Sequence, residues 1–232
     1  MKIAPFEMER MQSTWENQVE INLSESGVHP LTLGELLDEE GERACLLDVA
    51  LGYPQTNGTV PLRSAVASLY AGATADHVHV TNGGSEANFC CTWSLLEPGD
   101  EVVMMAPNYM QTWGLARAFA GAVREWPLRE RDGRWRPDLD ELRSLLTPRT
   151  RLLLICNPNN PTGACFDQSI LDAICREAER HGTWVLSDEI YRGAELAGRE
   201  TPSIWGRYER AIVTSGLSKA YGLPARRPGR SR

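Results

Sequence analysis

Apolar residues along the chain fall into short continuous runs separated by segments with helical spacing. Two continuous runs, 101–106 and 151–156, predict strands that are buried on both faces of a sheet. Shorter apolar stretches predict further strands at 77–81, 123–126, 183–186 and 211–214. Apolar positions three and four residues apart predict helices at 60–70, 87–96, 110–120, 139–146 and 169–181.

This alternation of strands and helices predicts an α/β fold with three layers, in which helices cover both faces of a mostly parallel sheet. The first forty residues are polar and irregular, and we expect an extended arm that leads into a short acidic helix. We therefore divide the chain into that arm (1–40), a large domain (41–224) and a tail (225–232). The tail holds four arginines and no acidic residue.

Composition narrows the possible functions. With 232 residues, 42% of them hydrophobic and 24% charged, the chain has the composition of a globular protein of one domain or one and a half. A net charge of -7 argues against a nucleic-acid surface or an anionic membrane surface. The chain begins without an apolar signal core, and no run approaches the ~18 apolar residues of a membrane span.

Cysteine usage favours a cytoplasmic protein with reduced thiols. The six cysteines form no CxxC pair and show no metal-type spacing with the four histidines, so we expect no metal site. Lysine usage is unusual, because only Lys2 and Lys219 accompany 22 arginines among the 24 cationic residues. A single internal lysine near the end of the chain is a candidate for chemistry.

Ligands of parallel sheets bind at the carboxyl ends of the strands, so the residues that follow each predicted strand are the candidates. NGGSEA after 77–81 opens a helix, and its Gly84 and Ser85 suit a phosphate, although a tight turn that binds nothing explains the pattern equally well. Tyr109 after 101–106 could lie over a planar ligand or belong to the core. NPNNPTG after 151–156 is a stiff turn that fixes its asparagines, Asn160 among them.

Two charged residues complete the set. Asp188 follows strand 183–186, and a carboxylate at that depth needs a cationic or hydrogen-bonding partner. Lys219 follows strand 211–214, where an amine can form a Schiff base with a carbonyl ligand, although a surface lysine is the common alternative. Together, a phosphate site, a ring, an amide, a carboxylate and an amine match what pyridoxal phosphate requires.

These motifs resemble the class I and II aminotransferases, which are pyridoxal-phosphate enzymes of fold type I. The resemblance implies that Gly84 and Ser85 hold the phosphate of the cofactor and that Tyr109 stacks on its ring. In NPNNPTG, it implies that Asn160 hydrogen-bonds the phenolic oxygen of the cofactor. In SDEIY, it makes Asp188 the partner of the pyridine nitrogen.

The same resemblance assigns the remaining site residues. Tyr191 becomes a second partner of the phenolic oxygen, and in SGLSKAYGLP Lys219 becomes the Schiff-base lysine with Ser218 beside it. Tyr53 matches a tyrosine that reaches the cofactor phosphate of a neighbouring subunit, which implies a homodimer. Gly27 falls where the family has a substrate-side glycine on its N-terminal arm.

The tail departs from the family pattern. Arg227 still falls where the phosphate-binding arginine belongs, but the family continues into a further strand, a long helix and a small domain that this sequence lacks. We therefore expect an incomplete large domain, such as a shifted reading frame would produce. Exposed strand edges should then make the chain poorly soluble or dependent on a partner.

Three functions remain open at this point. The resemblance implies transfer of an amino group between an amino acid and a 2-oxo acid, with Lys219, Asp188 and Tyr109 as the catalytic residues. The same cofactor site could support β-elimination, as in a C–S lyase, or decarboxylation, because substrate-side groups decide which bond breaks. A fragment that binds the cofactor without catalysis is the third possibility.

Overall fold

A computed structural model describes residues 2–16, 18–37 and 39–224 of the chain. In chain order, its elements are α1 (Glu7–Trp15), α2 (Leu33–Leu36), α3 (Glu40–Leu47), α4 (Val60–Ala67), a 3₁₀ turn (Ala75–His77), α5 (Gly84–Leu95), β1 (Glu101–Ala106), α6 (Met110–Phe119), β2 (Ala122–Pro127), β3 (Arg129–Arg131), β4 (Arg134–Arg136), α7 (Leu139–Leu145), β5 (Thr150–Cys156), α8 (Gln168–His181), β6 (Trp184–Asp188) and β7 (Ala211–Thr214).

The centre of the structure is a five-stranded sheet with the order β2-β1-β5-β6-β7, and each neighbouring pair is parallel. Its strands are the ones that the apolar runs predict, with ends that differ by two residues or fewer. A short antiparallel hairpin, β3 and β4, stands apart from this sheet. The prediction of a mostly parallel α/β sheet is therefore confirmed.

Alternate residues of the central strands face two separate cores. Val103 in β1 and Leu153 in β5 belong to a cluster that includes residues of α7 and α8. Their neighbours Val102 and Leu152 belong to a cluster on the opposite face, with residues of α5 and α6. Because successive side chains of a strand point to opposite faces, each central strand needs an unbroken apolar run. The three-layer arrangement is confirmed.

Helix α8 shows how local sequence fixes an element. The carboxylate of Asp167 accepts the backbone N–H of Ile170 at 3.0 Å and caps the start of the helix. Gly182 ends it in the left-handed conformation at φ 65°, which glycine adopts without steric cost. Between these ends, the helix turns Leu171 and Ile174 into the core, where both are fully buried.

One predicted strand is wrong. Segment 77–81 contains the end of the 3₁₀ turn and then an extended stretch that forms no strand pairing with the described residues. This stretch and β7 both line a groove of about 550 Å³. The backbone N–H of Val80 donates instead to the carbonyl of Asn57 at 3.0 Å.

The prediction of an extended N-terminal arm needs correction. Helix α1 covers residues expected to be irregular, and the expected acidic helix is divided into α2 and α3. These elements have no buried side chain among the described residues, and their sequences pack no continuous apolar face into a core. In α1, Met8, Met11 and Trp15 recur at helical spacing but stay exposed, so this helix packs against no core in the described part of the chain. None of the described helices has the length and apolar character needed to cross a membrane.

Truncation of a core side chain should lower stability strongly. Leu153 is fully buried between β1 and β6, so Leu153→Ala should lower the free energy of unfolding by about 2–5 kcal/mol through lost burial and a residual cavity. Urea denaturation followed by circular dichroism measures the change. Leu196 is fully exposed, and Leu196→Ala should change stability by less than about 0.5 kcal/mol. Equal losses for the two variants would contradict this assignment of the core.

Candidate active site

A buried carboxylate lies where the central strands end. Asp188, the last residue of β6, is opposite Cys156 of β5 and Thr214 of β7 and is 8% exposed. One of its oxygens accepts the side-chain N–H of Asn88 at 3.0 Å, and the other accepts the backbone N–H of Ile190 at 3.1 Å. Burial raises the pKa of Asp188 above its ordinary value, and these two donors lower it in part.

Asn88 connects three elements around that carboxylate. From α5 it donates to Asp188 on β6, and its side-chain oxygen accepts the hydroxyl of Thr214 on β7 at 2.8 Å. Sequence reasoning did not single out this residue. The available signal was a polar side chain inside an otherwise apolar helical segment, because a buried amide in such a place needs partners.

Tyr109 lies beside this centre rather than in the core. It precedes α6 and is half-buried, and its hydroxyl donates to the carboxylate of Glu9 at 2.9 Å. The ring of Phe6 meets its ring edge-on at a centroid distance of 5.0 Å. Burial raises the pKa of the Tyr109 phenol, and a hydrogen bond with the side chain of Ser85 opposes that rise. The phenol is therefore neutral and fixed from two sides.

The start of α5 lies next to the segment that follows β7. Gly83 precedes the helix with φ 89°, which favours glycine, and the first N–H groups of a helix have no acceptor within it. Gly84 and Gly216 approach each other closely, because a Cβ built on Gly216 would lie 3.9 Å from the Gly84 nitrogen and 2.9 Å from Cδ1 of Ile190. A side chain at position 216 would therefore fill the space in front of the helix terminus.

The N-terminal arm lies over the lysine. Nζ of Lys219 contacts an oxygen of Glu25 at 2.9 Å, and the Lys219 carbonyl accepts the backbone N–H of Val28 at the same distance. A Cβ built on Gly27 would lie 3.2 Å from Cδ of Lys219, so the predicted substrate-side glycine does lie against the lysine. The hydroxyls of Ser26 and Tyr191 are 2.7 Å apart.

The two adjacent asparagines in the turn after β5 differ in the hydrogen bonds of their side chains. The side chain of the buried Asn159 donates to the carbonyl of Pro107 at 3.2 Å and accepts the Thr162 hydroxyl at 2.6 Å. Asn160 is half-buried, and its backbone N–H donates to Sγ of Cys156 at 3.4 Å. Within the described part of the chain, the Asn160 side chain forms no hydrogen bond, so its amide is available to a ligand.

The structure does not bring every predicted residue into this cluster. Ser218 precedes Lys219 and lines the groove beside β7. Tyr53 is fully exposed at 107% and contacts none of these residues, so its predicted role at a neighbouring subunit stays a prediction. Arg227 lies outside the described residues. The search for residues that follow predicted strands did not find Glu25, Ser26 and Glu9, because these residues lie in the N-terminal arm.

Comparisons with known proteins show which family the chain is similar to. Residues 23–230 match the family model described as aminotransferase class I and II. The chain is 37% identical to capreomycidine synthase from Streptomyces vinaceus over 220 residues, which are 91% of this chain and 55% of that protein. It is 33% identical to a glutamate-pyruvate aminotransferase from Escherichia coli over 190 residues, 79% of this chain and 47% of the relative.

Solved structures of aminotransferases have a similar fold. The structure of a PLP-dependent aminotransferase from Streptococcus suis superimposes with a TM-score of 0.88 at 34% identity, and the match covers 97% of this chain and 61% of that chain. Aspartate aminotransferase from Thermus thermophilus with maleate superimposes with a TM-score of 0.71 at 31% identity, over 78% of this chain and 48% of that one. The chain thus spans about half the length of the curated relatives it matches.

Loss of the Asn88 amide should destabilise the protein in a pH-dependent manner. Asn88→Leu removes a hydrogen-bond donor from Asp188, so the free energy of unfolding falls most when that carboxylate is ionised. Since burial raises the pKa of Asp188, native protein binds the proton more tightly than unfolded protein, and stability falls as pH rises from the ordinary Asp range through the raised value. We expect a loss of about 2–3 kcal/mol at pH 8 and a smaller loss in acid.

Urea midpoints measured from pH 8 down to pH 4 test this prediction. Thr92 is buried in the same helix, and its hydroxyl donates to a backbone carbonyl, so Thr92→Val should cost a similar amount at every pH. A loss in Asn88→Leu that does not change with pH would contradict the role given to Asp188.

Proposed function

Because the chain belongs to the class I and II aminotransferase family, we propose that it binds pyridoxal 5′-phosphate and transfers an amino group between an amino acid and a 2-oxo acid. One observation carries the proposal. The buried carboxylate of Asp188 forms hydrogen bonds but no ion pair with the described residues, at the sheet edge that also presents the amine of Lys219. A cationic ring nitrogen would supply the missing partner.

The residues present fit this cofactor. The free N–H groups at the start of α5, with the Ser85 hydroxyl, suit a phosphate, and the close approach of Gly84 and Gly216 leaves the space that a side chain would fill. Tyr109 offers a half-buried ring for the aromatic face. The unbonded amide of Asn160 supports its role at the phenolic oxygen.

Each remaining residue has a role in holding the group. Ser218, together with Arg227 beyond the described residues, would add to the phosphate site. Tyr191 would share the phenolic oxygen with Asn160, and its hydroxyl is already held by Ser26 at 2.7 Å. When bound, pyridoxal phosphate supplies an aldehyde for a covalent bond to an amine and an electron-withdrawing ring. Asp188 would keep the proton on the nitrogen of that ring, since its charge is otherwise uncompensated.

Lys219 would move the proton of the reaction. Once the amine of the donor has displaced it, Nζ would accept the proton from the α-carbon of the donor, and the bound ring would withdraw the electron pair of the broken C–H bond. Nζ would then give up that proton in the second half of the transfer. Glu9 and Phe6 hold Tyr109, and the arm covers the lysine, so both contacts limit access of water to this step.

A homodimer in the cytoplasm belongs to the same proposal. Tyr53 is fully exposed, as are Leu51 and most of Leu47, and an apolar surface of this kind is typical of a partner contact. The six cysteines are free thiols, which supports a reducing compartment. Tyr53 would reach the cofactor phosphate of the neighbouring subunit across this surface.

Reduction should attach the cofactor to one lysine. Incubation with pyridoxal phosphate followed by borohydride should add the cofactor to Lys219. Its amine follows β7 at the strand ends, where the aldehyde of the bound cofactor would lie. Peptide mass spectrometry locates the label, and Lys2, the other lysine, is the internal control. Label on Lys2 alone, or equal label on both, would refute the cofactor site.

The reaction itself is tested with donor and acceptor pairs. Transfer should consume an amino acid and a 2-oxo acid in equal amounts and return the paired products. Release of ammonia with a 2-oxo acid from a β-substituted donor would instead indicate elimination, and release of carbon dioxide would indicate decarboxylation. Labelled Lys219 without turnover of any donor would leave cofactor binding as the function of this chain.

Loss of the Tyr53 hydroxyl should weaken cofactor binding across the dimer. We expect Tyr53→Phe to raise the cofactor concentration for half-saturation about tenfold, because a hydrogen bond to a charged phosphate is lost. Absorbance titration measures the shift, and light scattering measures the oligomeric state. Tyr208 packs against the core beside α7 and α8, so Tyr208→Phe is the matched control. Unchanged affinity in a dimeric Tyr53→Phe protein would contradict this role.

A further inference from the structure

We propose that Glu25 is a positioning residue that holds Nζ of Lys219 whenever this nitrogen is not bonded to the cofactor. The inference rests on the proposed function, since it assigns a partner to the amine that the reaction repeatedly frees. Neither the motifs around the lysine nor the strand-end rule points to this residue. It comes from the arm, 194 positions earlier in the chain.

The geometry of Glu25 is fixed by its own backbone surroundings. The oxygen that contacts Nζ at 2.9 Å also accepts the backbone N–H groups of Ser26 and Gly27, each at 2.8 Å. Two short-range donors therefore place this oxygen independently of the lysine. The hydrogen bond from Lys219 is the largest of the effects that lower the pKa of Glu25, so the carboxylate is charged at neutral pH.

The arm is held in place on either side of this contact. The backbone N–H of Val28 donates to the carbonyl of Lys219 at 2.9 Å, and that of Leu31 donates to the carbonyl of Gly222 at 2.8 Å. Ser26 bonds the hydroxyl of Tyr191. These bonds connect the arm to the lysine segment at the backbone level, so the carboxylate stays beside Nζ when the amine changes its bonding.

Because Gly27 has no side chain, it leaves room for the contact between Glu25 and Lys219. A Cβ built there would lie 3.2 Å from Cδ of Lys219 and 3.3 Å from the same oxygen of Glu25. A methyl group would have to displace one of the two, because such distances are tighter than most Cβ contacts. Position 27 therefore gives a way to disturb the contact without removing a charge.

The contact assists proton transfer through Lys219. When a donor amine displaces the lysine, Nζ is a neutral amine, and Glu25 can still accept one of its N–H groups and hold it near the α-carbon. Nζ would then take the α-proton, the bound ring would withdraw the electron pair of the broken C–H bond, and the amine would become an ammonium. The carboxylate stabilises that ammonium, because opposite charges at 2.9 Å attract, and it carries no proton itself.

Competitive acetylation of the cofactor-free protein tests the contact without any catalysis. Acetic anhydride reacts with neutral amines, and mass spectrometry gives the ratio of label on Lys219 to label on Lys2. Glu25→Gln should raise this ratio about two- to fivefold at pH 8, because Nζ loses the ion-pair partner that holds it while the side chain keeps its shape. Gly27→Ala should raise it in the same direction. Glu20, exposed on the arm, provides the control Glu20→Gln, which should leave the ratio unchanged.

The protein with bound pyridoxal phosphate allows a second measurement. With a saturating donor, Glu25→Gln should slow the single-turnover change in cofactor absorbance about ten- to a hundredfold, because the charge that orients Nζ and stabilises its ammonium is lost. The isotope effect of an α-deuterated donor should increase as proton transfer becomes slower. Borohydride should still place the cofactor on Lys219 in this variant.

The outcomes separate the two proposals. Cofactor trapped on Lys219, with an acetylation ratio and a turnover rate that Glu25→Gln does not change, would overturn the role of Glu25 and leave the proposed function standing. A changed acetylation ratio with normal turnover would reduce Glu25 to a contact of the cofactor-free protein and would also overturn its positioning role. No trapped cofactor in the unaltered protein would refute the proposed function itself, and the role of Glu25 with it.

Discussion

The carboxyl group of Asp188, buried among the ends of parallel strands, is the constraint on which the site depends. Burial alone would favour its neutral form, as the raised pKa shows, and only two hydrogen bonds from the protein oppose that effect. Asn88 supplies one of them and also ties β7 to α5 through Thr214. The site is therefore built around a charge that the described residues solvate incompletely, and a cationic ligand would complete it.

The N-terminal arm contributes the other contacts of the site. Its elements bury no side chain, so it is held mainly by polar contacts: backbone bonds to Lys219 and Gly222, a hydroxyl pair with Tyr191, and carboxylates at Tyr109 and Lys219. Contacts of this kind have direction but little net free energy. They fix where the lysine amine lies, while the cores on the two faces of the sheet supply the stability.

The continuous apolar runs were reliable guides to the fold, whereas one of the four shorter stretches was not. The run at 151–156 matches β5 because a strand covered on both faces must be apolar throughout. The stretch HVHVT at 77–81 alternates histidine with valine and forms no pairing with a described strand, and the backbone N–H of Val80 donates instead to Asn57. Extended conformation is a local property, whereas strand pairing needs a neighbour that local sequence does not specify.

The sequence by itself determined which chemical groups stand at the carboxyl ends of the strands, because Tyr109, Asn160, Asp188 and Lys219 lie at or just after strands that the apolar runs predict. Only the tertiary structure decided what each group touches. Asn88 meets Asp188 across 100 residues, and Glu25 meets Lys219 across 194. Periodicity reports local backbone geometry, which extends over a few residues. Pairings at such separations depend on how layers and arm pack, and that packing is a property of the whole fold.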